Sequence, residues 1–163
     1  MAFLSRSARS TSRLLSLASK NVLQRGYADA NQMGFTFAAA NKVFYNNEHV
    51  RQVDVPSFSG AFGILPNHVP TLAVLKPGVV TVFEDGGDTK KYFVSSGSVT
   101  INDDSSVQII AEEAVPVSDL DVQAAREVLN KAQSSLSSAT TDEAKAEAEI
   151  AIEVGEALVK ACE

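Results

Sequence analysis

"GVVTVFEDGGDTKKYFVSS", residues 78–96, is the stretch whose reading decides the fold. Val79, Val80, Val82 and Phe83 crowd β-branched and aromatic side chains into one short run. Tyr92, Phe93 and Val94 do the same after the polar interval around Gly86-Gly87. Two such runs flanking a Gly-Gly turn signal read as a β-hairpin. The next stretch repeats the device: "GSVTIND" (97–103) leads through Asp103-Asp104 into "SSVQIIAEEAVPV" (105–117). There Val107, Ile109 and Ala111 share one face under period-two alternation. Upstream, "GFTFAAA" (34–40) and "NKVFYNNEHVRQVDVPS" (41–57) are again extended, with Val50, Val53 and Val55 in strand-like runs. Residues 33–117 therefore hold about eight to ten short strands with no helical pattern between them, which predicts a β-sandwich or barrel.

The pattern changes at residue 118. Ser118-Asp119-Leu120-Asp121 fits the S-x-x-D capping box. Ala125, Val128, Leu129, Ala132 and Leu136 follow at spacings of three and four, one apolar stripe of a helix. "SSLSSATTD" (134–142) interrupts it. Thr140 and Glu143 then frame a second capping box, and Ala144, Ala148, Ala151, Ile152, Gly155, Leu158 and Val159 form a second stripe. Two Ala-rich helices of about 20 residues, joined by a short polar turn, predict an antiparallel hairpin. Alanine favours helix but buries little area, so this hairpin is expected to lean on the β domain or on another subunit. The fold class is α+β: a β-sandwich domain over 28–117, then an α-helical hairpin over 118–163.

Charge separates a third region. Residues 1–27 carry Arg6, Arg9, Arg13, Lys20 and Arg25 and no acid, with Ser and Leu spaced between them. This is the composition of a mitochondrial targeting presequence, and no apolar core long enough for a secretory signal is present. Arg25-Gly26-Tyr27 resembles a processing site, which places cleavage after Tyr27. The remaining 136 residues hold nine of the 14 cations and all 20 acids, a net of −11. Nucleic acid is a poor partner for such a body, because phosphate contacts need clustered Lys and Arg. Lys90-Lys91 reads as a solvated strand edge.

Reactive chemistry is sparse. His49 and His68 are the two histidines, and neither has a neighbour at metal-ligand spacing. Nucleotide-binding and nucleophile motifs of the P-loop, dinucleotide and G-x-S-x-G kinds do not occur. Cys162 stands next to the last residue and has no second cysteine to pair with. Asp103-Asp104 and Glu112-Glu113 are adjacent pairs, which a strand would split between opposite faces. The helix acids Glu143, Glu147, Glu149 and Glu153 read, with Lys145, as a solvated face. No catalytic residue, cofactor-binding residue or metal ligand is assigned.

One segment is specific without being reactive. "SGAFGILPNHVPTLAVLKPG" (59–78) spaces Gly60, Gly63, Pro66, Pro70, Pro77 and Gly78 around Phe62, Ile64 and Leu65. Proline sets its own φ and extends the residue before it, while glycine admits positive φ. The segment is either an ordinary corner of the sandwich or a rigid recognition loop. Residues 60–78 resemble the signature G-x-F-G-I-L-P-x-H-x-P-x-x-x-x-L-x-P-G of the family formed by the bacterial epsilon and mitochondrial delta subunits of F-type ATP synthase. The resemblance extends over residues 33–162. It implies a ten-stranded β-sandwich followed by two antiparallel helices, in a non-catalytic subunit of the rotating central stalk. Such a subunit packs beside gamma and the small epsilon subunit of the stalk, rests on the membrane c-ring, and works at the matrix face of the mitochondrial inner membrane. It also implies that Ala61, Phe62, Gly63, Ile64, Leu65, Pro66, Asn67 and His68 lie on the c-ring side.

One motif departs from some bacterial relatives, which bind ATP through [IL]-D-x-x-R-A. Here Ala124 stands at the Arg position of Leu120-Asp121-Val122-Gln123-Ala124-Ala125. Arg126 is two residues on, about 200° around a helix. Without the guanidinium the main phosphate-pairing group is missing, so no ATP binding is expected. A nucleotide-binding regulatory β-sandwich protein of mitochondria is the alternative reading, and an enzyme on a β scaffold is a third.

Overall fold

The computed structural model describes residues 33–163. The targeting segment and its cleavage after Tyr27 lie outside the described residues. Nine strands come first: β1 (Met33–Ala39), β2 (Val43–Ser57), β3 (Gly60–Ile64), β4 (Thr71–Leu75), β5 (Gly78–Glu84), β6 (Thr89–Val94), β7 (Gly97–Ile101), β8 (Val107–Ala111) and β9 (Ala114–Pro116). A short 3-10 turn (Val117–Asp119) leads to α1 (Val122–Ser138) and α2 (Asp142–Cys162).

Strand β2 organises the sandwich. Its 15 residues pair in turn with β1, β5, β3 and, at Ser57, β4. The strands run in the order β1-β8-β7-β4-β2-β5-β6-β9, and a further β1–β2 pairing folds this path back on itself. A bulge interrupts β2 where it pairs with β1. Two residues there, Asn46 and Asn47, stand opposite Thr36, between the pairs Phe35↔Glu48 and Phe37↔Tyr45. Asn47 takes a left-handed φ of 52° and donates its N–H to Thr36 Oγ1 at 3.1 Å. Bulges of this kind strengthen local twist.

Period-two alternation then fills one core. Met33, Phe35 and Phe37 of β1 face Val80 and Val82 of β5, Val99 and Ile101 of β7, and Val107, Ile109 and Ala111 of β8 in a single buried cluster. Each large aliphatic or aromatic side chain buried this way contributes about 1.5–3 kcal/mol. Both predicted hairpins are present, β5–β6 and β7–β8.

At one end of the core the aromatic rings meet a polar group. Phe35, Phe37, Phe44, Tyr45 and Tyr92 pack with ring centroids 4.9–6.2 Å apart. Tyr45 donates its hydroxyl to Glu84 at 2.8 Å, and Lys90 pairs with Glu84 at 2.7 Å. Burial, then bonds to Tyr92 and Glu84, pushes the Tyr45 phenol far above its usual range. Lys90 and Lys91 are exposed at a locally open edge: β9 pairs only Tyr92, Phe93 and Val94 of β6, so beside the two lysines β6 has β5 alone. The adjacent acid pairs are off the strands. Asp103-Asp104 occupies the turn after β7, and Glu112-Glu113 the bend after β8, all four exposed.

The helices differ from expectation at their ends. Asp121, not Ser118, caps α1 by accepting the Gln123 N–H at 2.8 Å. The 3-10 turn and the extended Leu120 take up the intervening residues. Thr141, one residue past Thr140, caps α2 through the Ala144 N–H. The serine run does not break α1, which continues to Ser138. Ser134 and Ser135 fold their hydroxyls onto the carbonyls four residues back, at 2.9 and 3.0 Å, and so satisfy themselves inside the helix.

The hairpin seam is made of small residues. Ala125, Ala132, Ala148 and Gly155 are buried, while Val128, predicted in the same stripe, is 47% exposed. A Cβ added at Gly155 would stand 3.1 Å from Leu129 Cα, so any side chain there would push the two helices apart by a few tenths of an ångström or more. The pair rests on the sandwich through α2 against β5. Phe93 shows the consequence. It points away from the sandwich core, in register with Val79 of β5, yet is 4% exposed.

Candidate contact loop

The segment 60–70 begins as edge strand β3, paired to β2 through Ala61↔Pro56, Phe62↔Val55, Gly63↔Asp54 and Ile64↔Val53. Gly63 lies close under the side chains of β2. A Cβ there would meet Asp54 Oδ1 at 2.8 Å, and that carboxylate is held in place by Gln52 Nε2 at 2.6 Å. Beyond Ile64 the chain turns through Leu65-Pro66-Asn67-His68. Pro66 presets φ, Asn67 adopts a φ of 63°, and the His68 N–H returns to the Leu65 carbonyl at 3.2 Å. This is the residue set and hydrogen bond of a type II turn. The chain next runs through Val69 and Pro70 into β4.

Exposure sorts the eight residues. Ala61, Gly63, Leu65 and Asn67 are exposed; Phe62, Pro66 and His68 are half-buried. Ile64 differs from the other seven: it is fully buried in the sandwich core. Its role is to anchor the end of β3, so that the turn projects from a fixed base. His68 is held rather than free. Its Nδ1–H donates to the Val69 carbonyl at 2.8 Å, and its ring lies 6.0 Å from that of Phe62. Leu65 (53% exposed) and Val69 (69% exposed) leave large apolar side chains in solvent at the tip.

The loop is braced by a segment that sequence reasoning did not single out. The Asn67 N–H donates to Ser105 Oγ at 3.2 Å, and the Ser105 hydroxyl donates to Asn67 Oδ1 at 3.2 Å. Ser105 itself has a left-handed φ of 66°. No local periodicity marks that residue; a serine in a D-D-S-S turn was the single available hint.

Elsewhere the geometry offers little for covalent chemistry. Among the described residues no three His, Cys, Asp or Glu side chains gather as a metal site, and no helix is long and apolar enough to cross a membrane. His49 is exposed on β2. Ala124 and Arg126 are both exposed on α1. What stands out instead is unpaired apolar surface. Leu72 and Val74 of β4 and Ile110 of β8 are 58–75% exposed, and Val74 and Ile110 both stand in register with Ser98 of β7. Phe58, Pro77, Ile150 and Val154 line a groove between the sandwich and α2 beside this strip. Monomeric surfaces rarely carry such continuous patches without a binding role.

A sandwich joined to a small-residue helix pair, with a stiff apolar loop and an apolar flank, defines a docking module of a larger assembly. The chain belongs to the ATP synthase delta/epsilon chain family. The family's beta-sandwich domain matches residues 32–117, and the C-terminal domain of the metazoan delta subunit of F1F0-ATP synthase matches residues 120–161. The mitochondrial ATP synthase subunit delta of Caenorhabditis elegans is 45% identical over 148 residues, covering 86% of this chain and 90% of that protein. That of Yarrowia lipolytica is 43% identical over 141 residues, covering 84% and 86%. A subunit of the Euglena gracilis mitochondrial ATP synthase, in its OSCP/F1/c-ring structure, superposes with a TM-score of 0.76 at 28% identity, covering 82% of each chain.

Proposed function

We propose that this chain is a non-catalytic subunit of the rotating central stalk of the mitochondrial proton-driven ATP synthase, coupling c-ring rotation to ATP synthesis on other subunits. Residues 1–27 are its targeting presequence, removed after Tyr27; residues 28–117 form the sandwich domain and 118–163 the helical hairpin. It works at the matrix face of the inner membrane. The observation that carries the reading is the family match along both the sandwich and the hairpin. The relatives from worm and yeast are mitochondrial ATP synthase subunits.

The geometry suits a part that transmits force by contact. The tip at Ala61–His68 is stiff, because one pyrrolidine, two side chain–backbone bonds and a buried anchor at Ile64 fix it. It has no carboxylate or cation of its own and presents Leu65 outward, which fits the protein surface of the c-ring. The apolar strip Leu72–Val74–Ile110 and the groove beside α2 suit the gamma and epsilon subunits of the stalk. In this reading His68 is a contact-loop residue, not a base or a ligand.

The test is assembly. On a native gel of mitochondrial membranes the chain is expected to co-migrate with the multi-subunit synthase. Migration only as a free monomer of the matrix would overturn the reading.

A further inference from the structure

The loop at 65–68 and the turn after β7 are 38 residues apart in sequence, yet they share two hydrogen bonds, both through one hydroxyl. We propose that Ser105 is a positioning residue for the contact loop, holding Asn67 and with it the apolar tip of Leu65 in the orientation that meets the c-ring. The inference rests on the c-ring reading given above.

Several features mark the turn as a brace rather than a chance neighbour. It is closed independently of the loop. Asn102 N–H bonds Ser106 O at 2.9 Å, Ser105 N–H bonds Asn102 O at 3.3 Å, and Asn102 Nδ2 donates to Ser106 Oγ at 2.8 Å. Asp104 Oδ1 accepts the Ser106 N–H at 2.9 Å. Ser105 is carried on that fixed frame in a left-handed conformation, uncommon for a residue other than glycine. Glycine would adopt it at less cost but has no hydroxyl to offer. On the other side Asn67 is also left-handed, and it presents both an N–H and an amide oxygen to the same hydroxyl. Asparagine suits that place because it tolerates the conformation and keeps an acceptor. Each loop thus takes up an unfavourable φ in the geometry that lets the two groups meet. The edge strand β3 pairs on one side only, with β2, so contacts from the turn after β7 supplement the local turn in setting the direction of the tip.

The experiment uses the assembled synthase carrying Leu65→Cys, with a short cysteine-reactive crosslinker scored against c subunits. Ser105→Gly is added because it removes the hydroxyl together with its Cβ and leaves a residue that adopts the left-handed backbone without strain. Crosslink yield is expected to fall by up to about fivefold: both exposed bonds of the hydroxyl are lost together, and their modest net contribution shifts the equilibrium of loop orientations by about that factor. The thermal midpoint of the isolated mature chain is expected to stay the same, because Ser105 lies outside the core. Asn67→Gly, which keeps the N–H, is expected to give a smaller loss that does not add to that of Ser105→Gly. Undiminished crosslinking in Ser105→Gly would overturn the positioning role. A Leu65→Cys chain that never links to c subunits, even with Ser105 intact, would overturn the c-ring reading and this inference with it.

Discussion

The sandwich and the helical hairpin are built from opposite materials. The sandwich buries Met33, three aromatic rings of β1 and β2 (Phe35, Phe37 and Tyr45) and more than ten β-branched or leucine side chains in one cluster. The hairpin closes over three alanines and one glycine. Large buried side chains give each strand a sizeable share of the transfer free energy. A seam of methyl groups gives little, and its advantage is close approach. The sandwich therefore has a large core of its own, whereas the hairpin rests on β5 through α2 and leaves apolar surface at Val128 and Ile150. Both parts leave apolar surface exposed, Leu72, Val74 and Ile110 on the sandwich and Val128 and Ile150 on the hairpin, so what separates them is the size of the buried side chains.

Substitutions put numbers on this contrast. Phe35→Ala in the sandwich is expected to cost about 3–5 kcal/mol and to lower the denaturant midpoint of the whole chain. An effect as small as that of a surface change would break the idea of a self-sufficient core. Gly155→Leu in the hairpin is expected to cost about 1–3 kcal/mol by overpacking against Leu129. Hydrogen exchange should then show lost protection in residues 122–162 with the strands unaffected; loss spread across both would show one cooperative unit. Asp121→Ala removes the cap of α1 and is expected to cost about 1 kcal/mol, read as faster exchange in the first turn after Val122.

Acid sharpens the comparison further, since the sandwich carries a close ion pair, Lys90 with Glu84 at 2.7 Å. Lys90 first, and then the Tyr45 hydroxyl, hold the Glu84 carboxyl below its usual range. A carboxylate depressed in the fold stabilises it above the unfolded pKa, about 4.3 for glutamate, and that contribution is lost as pH falls through the folded value. Glu84 keeps 25% of its side chain exposed, so the contribution is about 1 kcal/mol or less. Urea midpoints of the mature chain should therefore drop between neutral and acid pH by more than those of Glu84→Gln. Equal slopes would remove Glu84 from the account. The smallest expected effect is none: titrating the mature chain with ATP in a calorimeter should give no saturable heat, because Ala124 replaces the phosphate-pairing guanidinium of bacterial relatives.

Much of this was legible locally. Gly86-Gly87 and Asp103-Asp104 marked two hairpins, and the alternation of Val107, Ile109 and Ala111 told which face is buried. The change to three-and-four spacing at residue 118 marked the helices. Their ends were harder to read, because Ser118, Asp121, Thr140 and Thr141 are all competent caps. The serine run looked like a break because serine often competes with helix, yet here its hydroxyls bond back along the same helix. In the contact loop, Gly and Pro spacing disclosed a fixed path but not which side chain points inward. Ile64 and Leu65 are equally apolar neighbours, and only pairing with Val53 turns Ile64 into the core and leaves Leu65 outside.

Sequence by itself determined the two-part architecture, the stiffness of the 60–78 segment and the family, since periodicity, turn chemistry and an ordered motif are local properties of the chain. Tertiary structure alone decided that β2 bulges at Asn46-Asn47 against Thr36, that Phe93 is buried outside the sandwich core, and that Ser105 reaches Asn67. Each of those depends on elements far apart in sequence meeting in space. A hydroxyl in one turn has no partner until the other loop is folded beside it.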